Sequence, residues 1–244
     1  MDFYILALVA AVAFGASLVQ NVTGFGFGIV AMMFLPNLLV YTEANVLSSM
    51  LGTVTSTLVV FSMYRKVDWK NLIFPLIGSV VANYFAINFV KGAENKLLIL
   101  LLGIALLALS VYFFFFSDKI KIKPSWYVGL TVGLISGVMS GLFSIGGPPV
   151  VIYFLQSEET TDRYLATVSM YFVLSGIISI SMKAASGFIT VNVLLGLALG
   201  LLGMLIGAFL GKRIRGRANP KLIRKSVYAV MAVSGVIHIV SSLM

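Results

Sequence analysis

Forty consecutive residues, Phe3 to Thr42, carry no charge, and Ala44 to Tyr64, Leu97 to Ser117, Pro124 to Ser157, Val191 to Gly211 and Ser226 to Met244 are equally bare. Several of these runs approach or exceed the roughly 20 apolar residues that a membrane-spanning helix needs. Hydrophobic residues make up 60% of the 244 and charged ones 10%, which is more apolar surface than one water-soluble core can hide. The chain reads as an all-α integral membrane protein with no sizeable soluble domain. Its first run follows Met1-Asp2 without a basic n-region or a small-residue cleavage pattern, so a retained span is expected rather than a signal peptide.

Two of the runs are broken by glycine. Thr23-Gly24-Phe25-Gly26-Phe27-Gly28 interrupts the first, and Ser144-Ile145-Gly146-Gly147-Pro148-Pro149 interrupts another about 120 residues later. With Gly26 set opposite Gly146, Leu47-Ser48-Ser49 falls opposite Thr167-Val168-Ser169, and Gly78 and Leu97 find counterparts in Gly200 and Leu222. Each half then holds a first leg, a glycine break, a return leg and three long helices. The expected segments are Phe3 to Gln20, Gly28 to Val40, Ala44 to Tyr64, Leu72 to Val90 and Leu97 to Ser117, repeated as Trp126 to Val138, Pro148 to Leu155, Leu165 to Met182, Val191 to Gly211 and Ser226 to Leu243. Both return legs are too short to cross and read as half-helices. The halves are residues 1–120 and 121–244.

Basic loops stay on the cytoplasmic side of a membrane, whereas acidic residues matter little. If the segments alternate, one side receives Arg65, Lys66, Lys70, Lys119, Lys121, Lys123, Arg163, Lys212, Arg213, Arg215, Arg217, Lys221, Arg224 and Lys225, and the other only Lys91, Lys96 and Lys183. Fourteen against three predicts both termini outside. Five segments per half then invert the second repeat relative to the first, whether each broken pair crosses twice or re-enters as a hairpin. The net charge of +9 is thereby mostly topology. The lipid bilayer is the expected partner of the basic loops, and a loop clamped between spans offers no nucleic-acid surface.

Irregular backbone at membrane depth requires burial in protein or a watery cavity. Glycine lets another group approach the main chain closely, and Pro148 suits a first helical turn. Unbonded N–H groups at two helix starts form an anion site. Neither motif contains Lys or Arg and none is expected mid-span, so the site is expected to work without a cation. The candidate substrate-binding residues are Asn21, Thr23, Gly24, Gly26, Gly28, Ser144, Gly146, Gly147 and Pro148, with Ser49 and Ser169 on the third helix of each half. Gln20, Ser140, Ser48 and Thr167 are further hydroxyl or amide groups near the breaks. The stripe Gly196, Gly200, Gly203, Gly207 and Gly211 reads as close helix packing. Glu43 and Arg163 are expected to be solvated at the membrane edge, and His238 to serve packing.

No cysteine, one histidine and eight scattered carboxylates leave neither a metal set nor a thiol nucleophile, and no phosphate-binding loop is present. No cofactor is expected, and no nucleophile, base and oxyanion donor can be assembled into an enzyme site. Thr23-Gly24-Phe25-Gly26-Phe27-Gly28 and Ser140-Gly141-Leu142-Phe143-Ser144-Ile145-Gly146-Gly147-Pro148-Pro149 resemble the two motifs of the TauE/SafE family of sulfite exporters and sulfonate permeases, and the likeness in layout covers nearly the whole chain. The resemblance implies transport of sulfite or an organosulfonate across the prokaryotic cytoplasmic membrane. A bulky aromatic sulfonate needs an apolar pocket, for which Phe25, Phe27, Phe143 and Tyr153 are candidates. The residues by themselves reach a small anion carried by alternating access, with a passive anion channel or a non-transporting membrane subunit or assembly factor as the alternatives.

Overall fold

The computed structural model describes residues 2–116, 123–214 and 220–243. The expected boundary at 120 and 121 lies outside them, as do Lys119, Lys121, Arg215 and Arg217 and the side chains of Lys221 and Arg224. Among the described residues there are ten α-helices and no strand: α1 (Phe3–Thr23), α2 (Phe27–Phe34), α3 (Tyr41–Met63), α4 (Trp69–Gly92), α5 (Asn95–Phe116), α6 (Trp126–Phe143), α7 (Gly147–Ser157), α8 (Thr161–Ala185), α9 (Val191–Ile214) and α10 (Pro220–Leu243). Eight are long and apolar enough to cross a membrane. The other two, α2 with 8 residues and α7 with 11, rise only about 12 and 16 Å, against a hydrocarbon core of roughly 30 Å.

Local chemistry explains both breaks. α1 stops because Gly24 turns left-handed (φ 88°) and returns its N–H to Gln20 O at 2.8 Å, and Gly26 is left-handed too (φ 105°) before α2 begins. α6 ends on Ser144, a non-glycine residue held at φ 56°, whose N–H meets Ser140 O at 2.9 Å while Ile145 N–H reaches Met139 O at 3.2 Å. The latter pair closes a Schellman-type end. Pro148 and Pro149 then open α7.

Most helices run a few residues beyond the expected segments, α6 to Phe143 rather than Val138 and α10 from Pro220 rather than Ser226, and two further boundaries have a clear local cause. The first return leg was expected to run to Val40, but α2 ends at Phe34 and gives way to a 3-10 turn, Leu35–Asn37. Pro36 in that turn has no N–H to donate and disfavours helix in the residue before it. α8 was expected over Leu165 to Met182 and is longer at each end. Thr160 caps its start by accepting the Arg163 N–H, and Gly187 (φ 80°) ends it only after Lys183, whose carbonyl accepts from Phe188 N–H at 3.1 Å.

α4 lies along α6 and α1 along α9, while α3 meets α8 and α5 meets α10. Replacing each helix by the one five places on maps this set of pairs onto itself. The first two pairs are stitched by glycine: a Cβ on Gly133 would stand 2.1 Å from Pro75 O, and one on Gly203 2.0 Å from Ala10 O. Gly207 and Gly211 meet Phe14 and Leu18 of α1 in the same way, so the stripe on α9 is a packing seam. Lipid contact is left to outward residues such as Phe61, Phe85 and Phe209.

Candidate functional site

Between α3, α8 and the two breaks lies a cavity of about 90 Å³. The first turn of α2 contributes Gly26, Phe27 and Gly28 to its wall, and the start of α7 contributes Gly146, Gly147 and Pro148. The breaks touch each other here, since a Cβ on Gly28 would fall 1.9 Å from Ser144 O. Eight serines line the cavity (Ser48, Ser49, Ser56, Ser136, Ser140, Ser144, Ser175 and Ser179), together with Gln20, Thr53 and Tyr171. Hydroxyls both donate and accept, so the wall is polar without a charged side chain of its own. Ser48 Oγ is buried and has no protein partner.

The four unbonded amides of a helix start belong to its cap and first three residues. In α2 these are Gly26, Phe27, Gly28 and Ile29, all of which line the cavity. In α7 they would be Gly146, Gly147, Pro148 and Pro149, and the two prolines have no N–H. The two helix starts are therefore unequal donors.

Ser144 is the centre of the hydrogen bonding. Its hydroxyl donates to Asn45 O at 2.8 Å and lies 2.8 Å from Ser49 Oγ. Asn45 Nδ2 and Tyr41 OH both donate to Leu142 O, at 2.8 and 2.6 Å, which ties α3 to the last turn of α6. On the other wall Ser136 Oγ donates to Gly146 O and pairs with Tyr171 OH. Gln20 Nε2 donates to Ser56 Oγ at 3.0 Å.

The expectation of a site without a cation is overturned. Lys183, counted in the sequence as an outer-loop charge, is wholly buried in the last turn of α8. Its Nζ donates to Ser49 Oγ at 2.7 Å and to Ser144 Oγ at 3.1 Å. Lys183 Nζ thus stands directly behind two serines of the cavity wall. Its signal in the sequence is Ser175, Ser179 and Lys183 at four-residue spacing, one polar stripe along a helix.

Of the sequence candidates, Gly26, Gly28, Ser49, Ser144, Gly146, Gly147 and Pro148 come together on the cavity, with Gln20, Ser48 and Ser140. Asn21, Thr23, Gly24 and Ser169 do not line it. Asn21 donates to Ser17 O at 2.9 Å on its own helix, beside Gly211 of α9. Thr23 Oγ1 donates to Phe25 O at 2.7 Å and shapes the turn, Gly24 packs on Tyr164 and Leu165, and Ser169 is buried elsewhere on α8. Thr167 accepts the N–H of Asp68 at 2.9 Å.

The aromatic pocket is not assembled either: of its four candidates only Phe27 reaches the wall, and Phe25 packs on Phe113 instead. Glu43, expected to be solvated, is buried and accepts from Thr190 Oγ1 at 2.6 Å and Asn192 Nδ2 at 3.3 Å. Arg163 stays at the surface, paired with Asp68 at 2.7 Å and Glu158 at 3.4 Å. Burial pushes the Glu158 carboxyl above its usual range, partly offset by the Asn71 side-chain amide. His238 is buried on α10.

Comparison with known proteins bears on this arrangement. The chain is 23% identical over 225 residues to a probable sulfite/organosulfonate exporter TauE of Cupriavidus necator, covering 87% of this chain and 85% of that one. It is 27% identical over 190 residues to a probable membrane transporter protein of Methanocaldococcus jannaschii, covering 70% and 68%. No solved structure matches. The family model described as sulfite exporter TauE/SafE matches residues 9–237, taking in both breaks, the cavity and Lys183, and the chain belongs to that family.

Proposed function

We propose that the protein is a secondary transporter of a small sulfur-containing anion, sulfite or a short organosulfonate, working by alternating access. One observation carries the reading: both broken helices begin on one polar cavity, with Lys183 Nζ hydrogen-bonded to two of its serines. The amides at the start of α2 and the serine hydroxyls hold the anion, the α2 start contributing on the order of 1 kcal/mol. Attraction of this size releases its guest. A volume of about 90 Å³ accommodates sulfite or a two-carbon sulfonate.

Residues 1–120 and 121–244 are read as inverted repeats, supported by the self-mapping helix pairs, with α1–α2 and α6–α7 as hairpins entering from opposite faces. The basic loops put both termini outside the prokaryotic cytoplasmic membrane. Purified protein in liposomes is expected to take up labelled sulfite with saturation and to exchange it against internal sulfite. Folded protein that gives no flux above empty liposomes refutes transport, and flux without saturation or exchange makes the protein a channel.

A further inference from the structure

Among the described residues Lys183 has no ion-pair partner. The side chain is fully buried, two of its three N–H groups go to Ser49 and Ser144, and none of the ion pairs among the described residues includes it. The elements packed against α8 form no ion pair with it among the described residues. The carboxylate of α3, Glu43, is engaged by Thr190 and Asn192 instead, and Tyr41 donates to Leu142 O. On α4, Lys91 lies toward the same end as Lys183, but it is exposed and carries the same sign. Tyr153 and Glu158 of α7 and its cap, and Tyr64, Arg65 and Lys66 after α3, belong to the other end of α8 together with Asp162 and Arg163, about 30 Å away by helical rise. Tyr171 on α8 itself is bonded to Ser136.

An ammonium removed from water without an opposite charge is strongly unfavourable. A lysine escapes that penalty by giving up its proton, which an arginine cannot do. The place where an opposite charge fits is the cavity, one hydroxyl away.

We infer that Lys183 carries the proton that accompanies the anion, so that one monoanion and one proton cross the membrane together. This rests on the reading that the anion occupies the cavity. With the cavity empty Nζ is the neutral amine, and Ser49 and Ser144 satisfy it, since a hydroxyl donates or accepts as required. An anion entering beside those serines stabilises the ammonium, and Nζ takes a proton from the aqueous side through which the anion came. When the anion leaves on the opposite side, the unpaired ammonium releases its proton there. No net charge moves, and no other reactant is consumed.

The test uses liposomes containing the full chain and a lumenal pH dye, with inward gradients of isethionate, whose sulfonate holds no proton near neutrality, and of sulfite in parallel. The wild type should acidify the lumen by one proton per isethionate. K183R should keep isethionate binding, read as a thermal shift, while its acidification disappears and its flux falls at least about tenfold. K183M should lose both, yet melt no lower than the wild type, because an apolar chain of similar length replaces an unpaired charge. Wild-type isethionate flux without acidification, or acidification at the wild-type rate in K183M or K183R, overturns the proton role while leaving transport standing. Absence of flux for both anions refutes transport itself and the proton role with it.

Discussion

Adding one methyl group at Gly28 should drive the two breaks apart. A Cβ there lies 1.9 Å from Ser144 O and 3.0 Å from Ser144 C. A carbon and a carbonyl oxygen approach to about 3.3 Å at best, so Gly28→Ala needs roughly 1.4 Å of separation. Neither side can yield through a rotamer, because both are main chain. Ser144 is further pinned to Asn45, Ser49 and Lys183. Overpacking of this kind costs about 1–3 kcal/mol, which at roughly 2–4 °C per kcal/mol for a chain of this size lowers the melting temperature of detergent-solubilised protein by about 4–8 °C for 2 kcal/mol. A displacement beyond 1 Å in a site that positions its guest should reduce anion flux about a hundredfold. The control is Gly15→Ala on α1, where a Cβ meets nothing within 4 Å. It should keep full flux and gain up to about 1 kcal/mol from helix propensity. If Gly28→Ala melts and transports like Gly15→Ala, the breaks do not meet as described and the close-approach argument fails.

Ser144→Gly should relieve the strained φ of 56°, about 1–2 kcal/mol, and remove the hydroxyl shared by Asn45, Ser49 and Lys183. Its melting temperature should stay near the wild type while the apparent KM for sulfite rises at least about tenfold; an unchanged KM would remove that hydroxyl from the site. Gly203→Leu should separate α1 from α9, since even a Cβ stands 2.0 Å from Ala10 O, and sharply lower the yield of folded protein; normal yield and flux would contradict the seam. Glu158 has a side chain only 1% accessible and a carboxyl pushed up by burial. A raised value in the fold favours the neutral form, so this group's stabilisation is complete below its ordinary value of about 4.3 and is lost as pH climbs through the raised one. The melting temperature of the wild type relative to Glu158→Gln should therefore fall from acid towards neutral pH, and a flat difference would refute the shift.

The helices and both interruptions were legible because they depend on local signals: charge-free runs, glycine at a left-handed turn, and paired prolines at a helix start. That the interruptions meet was not legible, because it takes the packing of α3 and α8 to bring Gly28 onto Ser144. Asn21 shows the limit of chain proximity: one residue after the cavity-lining Gln20, it points along its own helix to Ser17. Lys183 was misplaced for a related reason. A linear count of loop charges assumed that α8 stops at Met182, whereas Gly187 ends it and leaves the lysine folded inward. Its four-residue spacing from Ser179 and Ser175 was the available clue, masked by the apolar residues between them. The unequal donor count at the two helix starts was readable from Pro148 and Pro149, since a residue without an N–H announces that directly.

The glycine seams also decide which parts of the molecule can shift as rigid pieces. α1 is locked to α9 and α4 to α6, and each lock joins a helix from before residue 117 to one from after residue 122. The first five helices cannot swing as one block against the last five without tearing main chain from main chain at Gly133 and Gly203. Any rocking must run between interleaved bodies, each with members drawn from both ends of the polypeptide.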